Sequence, residues 1–303
     1  MKPDLCIYHG NCADGFTAAW AVWRCWPDIA FHAGVYGEPP PDVRGKHVLM
    51  VDFSYKRPVL EQMADDACTI TILDHHKTAE ADLRDFVRPE MFEFTSHPFS
   101  DFRSTAVFMG LCNVRARFDM EKSGAMLAWE FCHDQPAPSI VIYVQDRDLW
   151  RFALPFSREI AAYIFSHSYD FATWNRIQSM LDEPMLLQAA ADQGAAIERK
   201  HHKDIADLLK QTQRTMVIGG QRVPVANLPY TMSSDAAGQM AADAPFAACY
   251  FDRADARIFS LRSRPFGADV SQIAAAYGGG GHRNAAGFQM PIGWEGDDET
   301  RNG

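Results

Sequence analysis

Short apolar runs that stop abruptly at acidic or imidazole side chains constrain this chain more than any other feature. Residues 5–9 (LCIYH), 47–51 (HVLMV), 68–73 (CTITIL) and 139–144 (SIVIYV) are five or six residues long. Helical composition follows the first three of them. Near-continuous apolar strands that alternate with helices predict an α/β fold with a parallel sheet covered on both faces. In such open sheets the ligand sits beyond the carboxyl ends of the strands. The side chains found after the four runs are His9 with Asp14, then Asp52, then Asp74 with His75 and His76, then Asp146 or Asp148. The sheet would gather them on one edge although they lie up to about 140 residues apart in sequence.

The rest of the chain reads in the same way. Residues 16–26 have helical composition, with Asp14 as a candidate cap and Trp20, Trp23 and Trp26 at a spacing that suits packing. A second strand is expected at 31–36 and a helix at 58–67, with Pro58 near its start. Helices are also expected at 103–118 and 122–132, capped by Ser104 and Ser123. Residues 150–181 read as helical with a break at Pro155, and 184–214 as one long helix. Short strands follow at 215–218, 223–227, 246–251 and 256–262, the first two joined through Gly219-Gly220. A helix at 269–277 then runs into GGGGHRNAAGF at 278–288. The domain boundaries expected from this pattern are 1–182 for the first domain, 183–214 for a connecting helix, 215–292 for a smaller α/β domain and 293–303 for a flexible acidic tail.

A length of 303 residues suits two domains rather than one. The net charge of -10 argues against wrapping of duplex nucleic acid, which depends on many Lys and Arg contacts to phosphate. It leaves an anionic substrate open, because a metal ion and a few local arginines can invert the field inside one cleft. The seven cysteines are odd in number, scattered and never spaced as Cys-x-x-Cys, so reduced thiols in a cytoplasm are expected. No window has the length of apolar sequence that a membrane span needs, and a soluble chain without a signal peptide is the expectation.

Carboxylates and imidazoles without paired thiolates suit a hard divalent ion, Mn²⁺ or Mg²⁺, with Zn²⁺ and Fe²⁺ also compatible. The candidate ligands outnumber what one ion needs, so two ions sharing a carboxylate is the economical reading. Such a pair serves phosphoester hydrolysis. The four glycines at 278–281 would let backbone approach a ligand and offer N–H groups to an anion, with Arg262, Ser263 and Arg264 just upstream to hold phosphate.

Taken together, His9-Gly10-Asn11-Cys12-Ala13-Asp14-Gly15, Asp52, Asp74-His75-His76, Asp146 and the closing Gly-Gly-Gly-Gly-His-Arg-Asn-Ala-Ala-Gly-Phe resemble the DHH phosphoesterase superfamily with its associated C-terminal domain. The resemblance covers nearly the whole chain, in order. It implies a catalytic DHH domain, a connecting helix and a substrate-binding domain, with two metal ions, usually manganese. By that pattern His9 serves the first metal, Asp14, His75 and Asp146 the second, and Asp52 bridges. His76 lies near the scissile phosphate, and Asp74 orients its neighbours. Arg262, Ser263, Gly279, Gly280, Gly281, His282 and Asn284 would hold the substrate phosphate or terminal nucleotide. Relatives often carry a second Asp two positions before the one matched by Asp14, where this chain has Cys12, so the first metal's ligand set departs from the pattern.

The expected function is therefore a Mn²⁺-dependent phosphodiesterase acting on short single-stranded oligonucleotides or nucleotide-like substrates. Two alternatives stand beside it. One is a pyrophosphatase or 3'-phosphoadenosine 5'-phosphate phosphatase, and the other is a nucleotide- or RNA-binding module that has lost activity through Cys12. No membrane partner is expected, and homo-oligomerisation is left open.

Overall fold

The computed structural model describes residues 2–87 and 113–297. The chain divides into two compact units, Met1–Glu198 and Arg199–Gly303.

The first unit opens with β1 (Leu5–His9), α1 (Ala13–Cys25), β2 (Ala30–Gly34), β3 (His47–Val51), α2 (Arg57–Asp66), β4 (Thr69–Asp74) and α3 (Lys77–Leu83). It continues with β5 (Val114–Phe118), α4 (Gly124–Cys132), α5 (Ser139–Asp148), α6 (Ser157–Phe165) and α7 (Phe171–Leu181), and then α8 (Pro184–Thr212) carries the chain into the second unit. The five strands form one sheet in the order β2-β1-β3-β4-β5, and every pairing is parallel. Side chains alternate across it. Cys6, Leu49, Val51 and Leu73 enter a core shared with Trp20, Leu127, Val144 and Trp174 of the helices on one face. Leu5, Ile7, Val48, Met50, Ile70 and Ile72 enter another with Leu60 and Met63 of α2. Burial on both faces is why these strands read as continuous apolar runs rather than as alternating ones.

Three stretches of the first unit differ from the sequence reading, one of them 150–156, which is not helical. The run at 139–144 is the helix α5, not a strand. Pro138 sits at its N-cap, and the buried Ile140, Val141 and Val144 share one side while Ile142 is exposed, so tertiary burial at helical spacing overrides β-branched composition. Residues 103–112 of the expected helix at 103–118, Ser104 included, lie outside the described residues, and Val114–Phe118 is the strand β5 rather than helix. It pairs parallel with β4, and Arg115, buried within it, donates from Nε to Thr71 Oγ1 at 3.1 Å. Ser123 does cap α4, accepting from Met126 N at 3.3 Å.

The second unit contains β6 (Gln213–Ile218), β7 (Gln221–Asn227), α9 (Tyr230–Met240), β8 (Ala247–Asp252), β9 (Arg257–Arg262), α10 (Val270–Ala276), β10 (Gly280–His282) and β11 (Ala285–Met290). Its strands form a mixed sheet ordered β10-β11-β9-β8-β7-β6, in which β7 and β8 run parallel and the other pairs antiparallel. Helix α9 was not anticipated, although its buried Ser233, Ala236, Ala237 and Met240 follow helical spacing. The glycine-rich segment is partly strand as well, because β10 and β11 form a hairpin from it. No helix among the described residues is long and apolar enough to cross a membrane.

Candidate metal centre

The carboxyl ends of β1, β3 and β4, which are neighbours in the sheet, deliver most of the cluster. His9 closes β1, and the turn through Gly10 and Asn11 enters α1 with Cys12 at its N-cap and Asp14 in its first turn. Helix and strand are in close contact at that turn: a Cβ on Gly15 would lie 2.3 Å from the carbonyl oxygen of His9. Asp52 follows β3 in the left-handed region, with φ 55°, a conformation that costs a non-glycine residue about 1–2 kcal/mol. Its amide donates to Leu73 O at 2.9 Å, which fixes it against the end of β4. Asp74 closes β4, and His75 and His76 follow it into α3.

Three carboxylates converge on one imidazole nitrogen. His75 Nε2 lies 3.1 Å from Asp52 Oδ1, 3.6 Å from Asp148 Oδ2 and 3.7 Å from Asp14 Oδ2. His9 Nδ1 lies 3.4 Å from Asp52 Oδ2. Within the first unit, three groups of side chains each bring their ligand atoms within 4.8 Å of one another: His9 with Cys12 and Asp52, Asp14 with Asp52 and His75, and Asp52 with Asp74 and His76. Asp52 belongs to all three. The start of α4 completes the setting, since Gly124 N and Ala125 N donate to the two Asp14 oxygens at 2.6 and 3.1 Å. A Cβ at Gly124 would lie 2.3 Å from that of Asp52, so α4 abuts the middle of the cluster.

The electrostatics follow from crowding these groups out of water. Burial pushes the Asp14 carboxyl well above its ordinary range, aided by the charges of Asp52 and Asp148. Burial also raises Asp148. It acts in the same direction on Asp52, but the contacts from His75 and His9 outweigh it and hold Asp52 well below the usual range. Burial would lower His75 and His9, yet their contacts with Asp52 leave both well above the ordinary histidine range. A centre in which burial and mutual repulsion raise two crowded carboxyls is one that a divalent cation suits. His9 Nδ1, Asp52 Oδ2 and Asp74 Oδ2 are buried without a hydrogen-bond partner among the described residues, which fits ligand atoms aimed at an ion.

Asp74 is committed to its neighbours. Its Oδ1 accepts from His75 N at 2.7 Å and His76 N at 3.3 Å, and lies 2.7 Å from His76 Nδ1. Asp146, expected as a metal ligand, is not brought to the cluster. Its carboxylate accepts from Ala153 N at 3.0 Å, Leu154 N at 3.3 Å and the Ser157 hydroxyl, and Asp148 stands by His75 instead. The helical form of α5 is the reason, because residues two apart on a helix diverge by about 200°. Sequence reasoning also missed Tyr36, whose ring lies 5.3 Å from that of His9, and the α4 amides that hold Asp14. The Ser123 cap was the available sign of the latter.

The expected substrate-binding residues lie in the second unit, along β9, β10 and β11. Ala285 of β11 pairs with both His282 and Arg262, which places those two residues on the strands that flank β11. Ser263 N donates to Asn284 O at 3.1 Å, and Asn284 Nδ2 donates to Ser263 Oγ at 2.9 Å and Arg264 O at 2.6 Å. Arg262 Nη2 donates to Ser234 Oγ at 2.6 Å. Gly280 and Gly281 are in β10, and Gly279 precedes it with space for no side chain, since a Cβ there would lie 2.1 Å from Gly287 O.

No family model matches the sequence. An uncharacterized protein of Acanthamoeba polyphaga mimivirus is 28% identical over 95% of this chain and 67% of its own length. Among solved structures, the DHH domain of a protein described as a member of a family of ribosomal proteins superposes with a TM-score of 0.50 at 13% identity, over 93% of this chain and 82% of that one. RecJ of Thermus thermophilus in complex with Mn²⁺ gives a TM-score of 0.47 at 16% identity, over 95% of this chain and 50% of RecJ.

Proposed function

We propose that this chain, which has the fold of a DHH domain, is a Mn²⁺-dependent phosphodiesterase acting on short single-stranded oligonucleotides or nucleotide-like substrates. The observation that carries the reading is the convergence of Asp14, Asp52 and Asp148 on His75 Nε2 at the carboxyl edge of a parallel sheet. Carboxylates and imidazoles in that ratio suit Mn²⁺ or Mg²⁺. Asp52, common to the three groups that lie within the first unit, would be shared between two ions, with His9 on one side and Asp14, His75 and Asp148 on the other. Two bound ions supply an activated water and charge stabilisation on the phosphoryl oxygens.

The chain's own residues set the remaining terms. Asp74, held below the usual carboxylate range by the neighbouring His76 despite its burial, orients that imidazole through Nδ1. Proton exchange with a substrate oxygen is thereby directed to His76 Nε2. The α4 amides keep the Asp14 carboxylate in place. In the second unit, Arg262, Ser263, Asn284 and the glycines 279–281 with His282 would receive the phosphate or terminal nucleotide. A net charge of -10 favours a short ligand over a long duplex.

The test is hydrolysis of a dinucleotide panel with Mn²⁺ by the wild type, Asp52→Ala and His75→Ala. Loss of several kcal/mol of charge stabilisation predicts a fall of about a thousandfold in each variant. Turnover unchanged in both would sink the assignment, and wild-type cleavage of pyrophosphate but of no dinucleotide would favour the pyrophosphatase alternative.

A further inference from the structure

An aromatic and cationic cluster sits directly beyond the last acid of the metal centre and has no role in the chemistry above. Arg147 places its guanidinium 4.3 Å from the centroid of Trp150, and Arg158 places its own 3.6 Å from that of Phe152. The two rings meet edge to face at 5.0 Å. Large apolar side chains normally go into the core, yet Trp150 is 42% exposed and Phe156 43%. The backbone that presents them is unusual too. Trp150, Phe152 and Phe156 all have left-handed φ, at 56°, 48° and 57°, a conformation that bulky residues avoid and that clusters at ligand-binding segments.

The segment is held in this form by Asp146. Its carboxylate accepts from Ala153 N, Leu154 N and the Ser157 hydroxyl, and its carbonyl accepts from Arg151 N at 2.9 Å. Asp146 thus acts as a positioning residue for an exposed tryptophan. That tryptophan follows Asp148 by two residues, so their Cα atoms are at most about 7.6 Å apart. Asp148 Oδ2 is itself 3.6 Å from His75.

We infer that Trp150, backed by Arg147 and Phe152, is a stacking platform for a nucleobase of the substrate whose phosphate lies at the metal centre. Base stacking on an exposed indole is tolerant of sequence, and arginine beside it adds attraction for both the ring and the phosphate. This site deepens the phosphodiesterase reading and rests on it for the identity of the ligand.

The experiment compares wild type, Trp150→Ala and Trp150→Phe on a dinucleotide and on its abasic analogue with Mn²⁺. Binding of the fluorescently labelled dinucleotide is measured in parallel with Ca²⁺ in place of Mn²⁺. In Trp150→Ala the preference for the dinucleotide over the abasic analogue should fall roughly tenfold, through KM rather than kcat, as expected for one lost stack. Trp150→Phe should keep most of it. The same preference and the same affinity in wild type and Trp150→Ala would overturn the platform. No hydrolysis by wild type, together with dinucleotide binding that Trp150→Ala abolishes, would keep the platform and remove the phosphodiesterase reading.

Discussion

The candidate metal centre of the first unit and the glycine-rich edge of the second are both assemblies of polar side chains, and they are built on opposite terms. At the edge, each described partner finds another: Asn284 with Ser263 and Arg264, Arg262 with Ser234. At the candidate centre, like charges are crowded together in burial, Asp52 holds a strained backbone, and buried atoms of His9, Asp52 and Asp74 lack hydrogen-bond partners among the described residues. The first arrangement stabilises itself. The second suits a cation, because like charges crowded out of water are costly without a counter-ion. Under the proposed function, the ions would belong at the cluster and the ligand scaffold at the glycine-rich edge.

The largest effect that could break this comparison concerns two acids of one helix. Asp148→Ala should reduce Mn²⁺-dependent turnover at least about a hundredfold, since it removes a charge beside His75. Asp146→Asn should instead lower stability by about 1–3 kcal/mol, read from the urea midpoint, while Mn²⁺ affinity changes little. The reverse outcome would return the ligand role to Asp146. Next in size is Cys12→Asp, which converts the soft member of the His9 group into a carboxylate; Mn²⁺ affinity there should rise roughly tenfold by calorimetry. An unchanged affinity would place Cys12 outside the ligand shell. Smallest is Asn284→Ala, expected to cost about 1 kcal/mol in the unfolding of the second unit, with the Mn²⁺ isotherm unaltered.

Much of the centre was legible in the sequence because a doubly covered parallel strand is apolar throughout, so its end is sharply marked. His9, Asp52 and Asp74 each stand at such an end, and the DHH-type order of motifs agreed with it. The fourth arm was not legible. A six-residue β-branched run has the same appearance as a buried strand or as the apolar side of a helix. Reading it as a strand left Asp146 and Asp148 as alternatives beyond its end, whereas on α5 Asp148 is the one that stands by His75. The hairpin of β10 and β11 was hidden for another reason. Glycine is depleted in strands, yet here close approach of Gly279 to Gly287 requires it. Helix α9 went unread because its buried face is built of alanine, serine and methionine rather than of large aliphatic residues.

The shared position of Asp52 is the central claim, and a calorimetric titration of Mn²⁺ into metal-free wild type and Asp52→Ala tests it most directly. Two binding events per chain are expected in the wild type, the weaker at the group containing Cys12, and both should be lost in Asp52→Ala. Two undiminished events in the variant would contradict it.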